Sequence, residues 1–373
     1  MDEHPEAAES RGAKDSILTS LGLFLTGFVL TAAGLHQVIR NPLRLYADIR
    51  SEKLAIMDTW KGHTWSAAFG SSHMHNGFDP RAFDAALAGT PLATRSINGS
   101  VAGGSQTEQR VMALEFLHGM KSPEPESSPR ACFVLLEITA GANFTNEHLV
   151  HPRAINIYDW KTLRFVEHLT EPGMNPKQRV GRVAYAVMGT ALYYMNVGML
   201  SNKIFSPSLD SDIVSRETEK DRRGLEAGKM TQAQQDEMEL NFARVREKKV
   251  SEPVSVPLLP GNYDLLQELR QASPVKNVQI LYVVMPMITD IAQRRAYPAT
   301  IDGPDGPEPI LNLARPDLYS DLYQPKYWAD DSHLNEAGAA IGTRLLADQI
   351  KAWYGANPAA AQCGESIDRK HGG

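Results

Sequence analysis

The chain of 373 residues has only two cysteines. Two cannot build the disulfide framework of a small secreted domain, and no zinc-type ligand spacing is present. Cys132 lies inside "ACFVLLEI", where a small buried hydrophobe is expected, and Cys363 sits in a Gly/Ala-rich tail. A basic surplus is lacking too. There are 38 Lys and Arg against 44 Asp and Glu, a net charge of −6 and a pI near 6.0, which argues against nucleic acid as a partner. No internal repeat breaks the chain into units. What remains is the composition of an ordinary folded protein, 42% hydrophobic and 22% charged, with material for one large domain or two small ones.

Long uncharged runs are few, and the first is at the N-terminus. "ILTSLGLFLTGFVLTAAGL" carries no charge and continues uncharged to Ile39, about the length a helix needs to cross a hydrocarbon core of ~30 Å. A cleaved signal and a buried soluble helix are the rival readings. The long acidic stretch before the run and the run's own length favour an uncleaved anchor over residues 17–39, after a tail at 1–16 and before a linker at 40–62. Arg40, Arg44, Arg50 and Lys53 outnumber Arg11 and Lys14 across this segment, which by itself would leave the large domain in the cytoplasm. A second run, "VAYAVMGTALYYMNVGML" (183–200), is less apolar and reads as a helix packed on a sheet rather than a second span.

Beyond the anchor, strand-like and helix-like segments alternate. "HTWSAAFG", "TRSING", "ACFVLLEI" and "NVQILYVVMPM" read as strands. Asp79-Pro80 reads as a helix start, and Ser105 with Glu108 has capping-box spacing. "NYDLLQELRQA" and "NEAGAAIGTRLLADQIKAWY" read as helices. Alternation of this kind predicts parallel βαβ units in a three-layer α/β domain over 63–354, with ligand sites at the carboxyl ends of the strands. Residues 210–252 are densely charged and read as a solvated helical insert, a surface open to a protein partner. The tail at 355–373 is small and polar and is expected to be disordered.

The strand exits carry the chemistry. Gly70-Ser71-Ser72, Asn98-Gly99-Ser100 and Gly141-Ala142-Asn143 each follow a strand, and Asp330 stands three residues before His333. A serine on a tight turn attacks a carbonyl if a histidine takes its proton and a carboxylate fixes the imidazole tautomer. The N–H groups of Ser72 and Gly99, with the Asn143 amide, are candidate oxyanion donors. His73 and His75 are two apart and would point different ways, which speaks against a metal pair. Asn335 is expected to steady the turn beneath His333, and Asp331 competes with Asp330 as the orienting acid. Asn98-Gly-Ser and Asn143-Phe-Thr match glycosylation sequons but fall at these site loops.

Taken in order, these blocks resemble the SGNH, or GDSL-like, hydrolase superfamily. That family carries serine in a G-D-S turn, glycine after strand two, G-x-N after strand three and D-x-x-H near the C-terminus. Here Ser71 replaces the usual aspartate and Asn143 lies further beyond its strand than usual; Asp330 to His333 is the closest match. The resemblance implies a flavodoxin-like parallel sheet with Ser72, Asp330 and His333 catalytic, Gly99 and Asn143 in the oxyanion hole, and no cofactor or metal. It further implies a serine-dependent esterase or O-acyltransferase acting on small acyl, above all acetyl, esters of a cell-surface glycan. An N-terminal anchor plus such a domain is similar to membrane-anchored proteins whose domain faces outward, against the charge count. The competing expectation is a non-catalytic anchored module that uses the same fold for binding or assembly.

Overall fold

The computed structural model describes residues 19–34, 49–121, 130–138, 157–168, 174–195, 223–225, 227–303 and 306–364. Helix α1 spans residues 19–34. The rest of the expected anchor lies outside the described residues, and no described helix is long and apolar enough to cross a membrane. Helix α2 (Ile49–Trp60) occupies much of the stretch expected as a linker. It is built into the domain: Leu54 and Met57 are buried in the core, and the Lys53 ammonium donates to the Gly224 carbonyl at 2.6 Å.

Strand β1 (Ser66–Phe69) leads through a tight turn into the short helix α3 (Ser72–Gly77) and then α4 (Pro80–Leu87). Asp79 caps α4 by accepting the Arg81 N–H, with Pro80 in the first turn where its missing N–H costs nothing. Strand β2 (Ser96–Asn98) follows, then α5 (Gln106–Gly119), which opens on the expected Ser105–Glu108 capping box. Strand β3 (Phe133–Glu137) comes next, then α6 (Trp160–His168) and α7 (Pro176–Tyr194). Helix α7 turns Ala186 into the core and has α6 as its main neighbour, while Val180, Val187 and Met188 are exposed. The rest of the chain runs α8 (Gln232–Arg246), β4 (Val254–Ser255), α9 (Pro260–Ala272), β5 (Gln279–Val284), β6 (Arg295–Ala296), β7 (Thr300–Gly303), β8 (Gly306–Asn312) and α10 (Glu336–Tyr354).

Six strands form one sheet in the order β2-β1-β3-β5-β8-β7. All neighbours are parallel except β7 on β8. The chain is therefore α/β with a mostly parallel sheet, and the order of its parallel strands is consistent with a flavodoxin-like layout. Alternate side chains of the inner strands enter two different cores. Ala67, Phe69, Val134, Leu136, Ile280 and Tyr282 pack with Phe116 of α5 and Leu265 of α9. Ala68, Phe133, Leu135, Leu281 and Val283 pack with Phe83 of α4 and Leu346 of α10. Each such Leu or Phe, fully buried, contributes about 1.5–3 kcal/mol relative to exposure. Burial on both faces explains the near-continuous apolar reading of "ACFVLLEI".

Two expectations are corrected. Cys132 and Cys363 form a disulfide, with Cα atoms 5.4 Å apart, and the Cys132 N–H donates to the Ala361 carbonyl. The start of the tail is thus pinned beside β3, with a short 3-10 turn at Pro358–Ala361; residues 365–373 lie outside the described residues. The charged insert is not merely solvated either. Its residues 223–225 border β2, where the Asn98 N–H donates to the Arg223 carbonyl and the Arg223 guanidinium pairs with Asp84. Helix α8 lays Met238 and Phe242 into the core, the Phe242 ring 6.2 Å from that of Trp328.

Candidate active site

In a sheet ordered 2-1-3, the connections from the two central strands leave in opposite directions, which opens a crevice at their carboxyl ends. Gly70 sits there, after β1. A Cβ on Gly70 would lie 2.4 Å from a Glu137 carboxylate oxygen and 2.7 Å from the Met74 Cβ, so no larger residue fits the turn. Glu137 ends β3, and its buried carboxylate accepts both the N–H (2.5 Å) and the hydroxyl (3.0 Å) of Ser71. Ser71 caps α3 by accepting the His73 N–H at 3.4 Å. Its hydroxyl is thereby engaged in holding the turn. Ser72, the first residue of α3, makes no side-chain hydrogen bond among the described residues, and no partner of its N–H is found there.

The C-terminal end of α3 is held by Asn98 at the end of β2. Its amide donates to the carbonyls of Met74, His75 and Phe78, and its oxygen accepts the Ser100 N–H. Asn98 is fully buried, so its sequon is inaccessible. His75 is buried with Nδ1 on the Ser100 carbonyl, whereas His73 points to the crevice side, as expected for residues two apart.

Across from α3 lies the loop before α10. It is closed by the Ala329 N–H on the His333 carbonyl (2.8 Å) and by a Trp328–Leu334 bridge. Asn335 caps α10 by accepting the Gly338 N–H and ties back through its amide to the Lys326 carbonyl. The Asp330 carboxylate faces His333 Nδ1 at 2.7 and 2.9 Å and accepts the N–H groups of Ser332 and His333, each at 2.9 Å. Burial works against its charged form, but the bonds from the His333 ring and from those backbone N–H groups outweigh that and hold the carboxyl well below its usual range. An ionised carboxylate on Nδ1 places the imidazole proton there, which leaves Nε2 as acceptor. That Nε2 is buried and has no hydrogen-bond partner among the described residues. Asp331 makes no hydrogen bond to the ring; its carbonyl accepts from the Ile288 N–H.

The structure brings this loop onto α3: the rings of His333 and His73 stack with centroids 5.4 Å apart and 27° between planes. Ser72, one residue before His73, therefore lies at the same end of the sheet as Asp330 and His333. Gly99 has a different use from the one expected. Its N–H donates to the Ala68 carbonyl at 2.9 Å, extending the sheet ladder, so it is already engaged and is not a ready oxyanion donor. A Cβ there would meet the Phe69 ring at 2.4 Å, which accounts for the glycine. Asn143 lies outside the described residues. No group of three or more His, Cys, Asp or Glu able to hold a metal ion is found among the described residues.

Compared with family models, with curated proteins and with solved structures, the chain matches none.

Glu137 escaped the sequence reading, although it had a signal, an acid closing an otherwise apolar strand. His73 was read as a structural or solvent-facing histidine with substrate contact as the alternative, and Asn98 only as part of a strand exit and a sequon; nothing in the sequence shows that its amide serves carbonyls about 20 residues away. The arrangement also separates the two serines. Both the Ser71 hydroxyl and Glu137 contact the same nitrogen, Nδ1 of His73. A base needs the acid on one ring nitrogen and the nucleophile on the other, so Ser71 is not wired as a nucleophile.

Proposed function

We propose that this chain is a serine-dependent esterase or O-acyltransferase of the SGNH type, acting on small acyl esters, acetyl first, of a cell-surface glycan. Ser72 Oγ attacks the acyl carbon and its proton passes to His333 Nε2, while Asp330 keeps the Nδ1 proton in place. The Ser72 N–H faces the developing oxyanion. Collapse breaks the bond to the alcohol and leaves an acyl-serine, which water or a second hydroxyl resolves. The observation that carries this reading is the wiring of His333: Nδ1 fixed on a carboxylate, Nε2 unpartnered, the ring laid against the helix that begins at Ser72.

The proposal includes an anchor at 17–39 and a domain facing outward. The Cys132–Cys363 disulfide supports that side of the membrane, since disulfides persist in oxidising compartments. One observation favours a second reading, an anchored binding module without chemistry: the Gly99 amide is occupied by Ala68.

Labelling with a membrane-impermeant fluorophosphonate decides between them. The native chain is expected to react on intact cells, Ser72→Ala to lose all labelling and Ser71→Ala to keep it. Labelling that follows Ser71 instead removes the assignment, labelling only after lysis removes the outward placement, and a folded native chain that never reacts leaves the binding module.

A further inference from the structure

The crevice holds a second imidazole wired like the first. His73 Nδ1 lies 3.1 Å from Glu137 Oε1, on a carboxylate whose side chain is only 2% exposed. That carboxylate already accepts two donors from Ser71. The third donor is the Nδ1 proton of His73, which leaves Nε2 to take or give a proton. Nε2 of His73 makes no hydrogen bond among the described residues, and the side chain is 23% exposed, against 22% for His333. Two imidazoles, each with Nδ1 on a carboxylate, therefore stand face to face, one of them directly after Ser72. The turn is already held by the two bonds from Ser71 to Glu137, and the His73 ring adds a third partner to that carboxylate while its other face lies on His333.

We infer that His73 is a second catalytic residue, which handles the proton on the alcohol side of the ester while His333 serves the serine. This rests on the Ser72 reading. In acylation the Ser72 Oγ–acyl bond forms and the Ser72 proton moves to His333 Nε2. The bond from the acyl carbon to the departing oxygen breaks, and that oxygen takes a proton from Nε2 of protonated His73. In deacylation the accepting hydroxyl bonds to the acyl carbon and gives its proton to His73, while His333 returns its proton to Ser72 Oγ. The pair begins and ends the cycle with one proton on His73. Because a second proton would set two cations face to face, the transfer from His73 to the departing oxygen has to accompany the transfer from Ser72 to His333. Division of labour of this kind matters for sugar hydroxyls, which are poor leaving groups and poor nucleophiles without a proton partner.

The test is His73→Gln in the full-length protein, read on two acetate esters that differ in the need for a proton. Fluorophosphonate labelling of this variant reports whether Ser72 and His333 still work together. With an alkyl acetate, whose alkoxide must be protonated to leave, kcat/KM is expected to fall by about 10²–10⁴, the usual worth of a general acid or base. With p-nitrophenyl acetate, whose phenolate leaves unaided, the loss is expected to stay under about tenfold. A variant that loses both activities equally places His73 in a purely structural role and overturns the inference, as does one that loses neither. Glu137→Gln is the second variant and is expected to reproduce the contrast in weaker form; equal losses on both esters there, with an unchanged melting temperature, count against the pairing. If the native chain neither labels nor turns over either ester, the Ser72 reading itself fails, a result distinct from a failure of His73 alone.

Discussion

The two ends of the central sheet are both rich in polar groups, yet they treat them differently. At the amino ends of β1 and β3 the hydroxyls close on one another. The Phe133 N–H donates to Ser66 Oγ, Ser66 to Thr94 Oγ1 at 2.7 Å, and Thr94 to the Ala131 carbonyl at 2.7 Å. The Cys132–Cys363 bond and the Cys363 N–H on the Arg130 carbonyl tie the chain's last described segment over the same end. At the carboxyl ends, Ser71, Glu137 and Asp330 are just as fully engaged, but they hold groups that are not: the Ser72 hydroxyl and the outer nitrogens of His73 and His333. Buried polar atoms normally find partners. Polarity therefore does not mark the site, and neither does an open atom alone, since Arg130 Nε at the amino end is also buried without a partner among the described residues; an open nitrogen on a carboxylate-held imidazole near an unengaged serine hydroxyl does.

Substitutions at each end should break that comparison in opposite ways. The largest effect is expected from Asp330→Asn, with about a 10⁴-fold loss in the rate of fluorophosphonate labelling, because an amide on Nδ1 permits the wrong tautomer. Labelling of the native chain should not be lost through protonation of Asp330 until pH drops below the usual carboxylate range, because its depressed carboxyl keeps its charge down to there. The melting temperature of Asp330→Asn should fall as well, because a carboxyl held below its usual range contributes stability at neutral pH, so labelling rates are compared at a temperature where both chains are folded. A labelling rate within tenfold of the native one would return Asp330 to a mere turn-capping role.

Cys363→Ser is expected to do the reverse. Loss of a cross-link of this kind costs typically about 2–4 kcal/mol, so thermal unfolding should shift down by several degrees while Ser72 labels at the native rate once folded. Reaction of both native cysteines with an alkylating agent, without prior reduction, would show that the bond is not formed.

Smallest is Thr94→Val, which leaves the Ser66 hydroxyl and the Ala131 carbonyl without their link and costs about 1–3 kcal/mol. It is read by chemical denaturation, again with labelling intact. If this variant lowers labelling without lowering stability, the two ends of the sheet are coupled and the contrast between them fails.

Much of this was legible in the sequence because it is local. Strand positions follow from apolar runs bounded by turn residues, and the starts of α4 and α5 follow from side chains that reach N–H groups two or three residues away. Asp330 and His333 were legible for the same reason, since a three-residue interval lets the two side chains meet within one loop. The insert was legible as helix from its composition, but not as part of the core, because the few apolar residues that enter it, Met238 and Phe242 with Val245 at its edge, are scattered among charged ones.

Tertiary structure alone decided the rest. A disulfide across 231 residues, a carboxylate on β3 beneath the turn after β1, and the stacking of His73 on His333 are contacts between segments far apart in the chain. Periodicity and spacing carry no information about which distant strand end will lie beside which. They did not show that the Gly99 amide would be taken by the Ala68 carbonyl, because a backbone N–H has no residue type to reveal its partner. By itself the sequence determined which segments could be strands and helices and which residues could do acyl chemistry. Parallel pairing of β1 and β3 decided which of those residues stand at one crevice, since that pairing sets Gly70 against Glu137, engages the Ser71 hydroxyl and leaves that of Ser72 without a partner among the described residues.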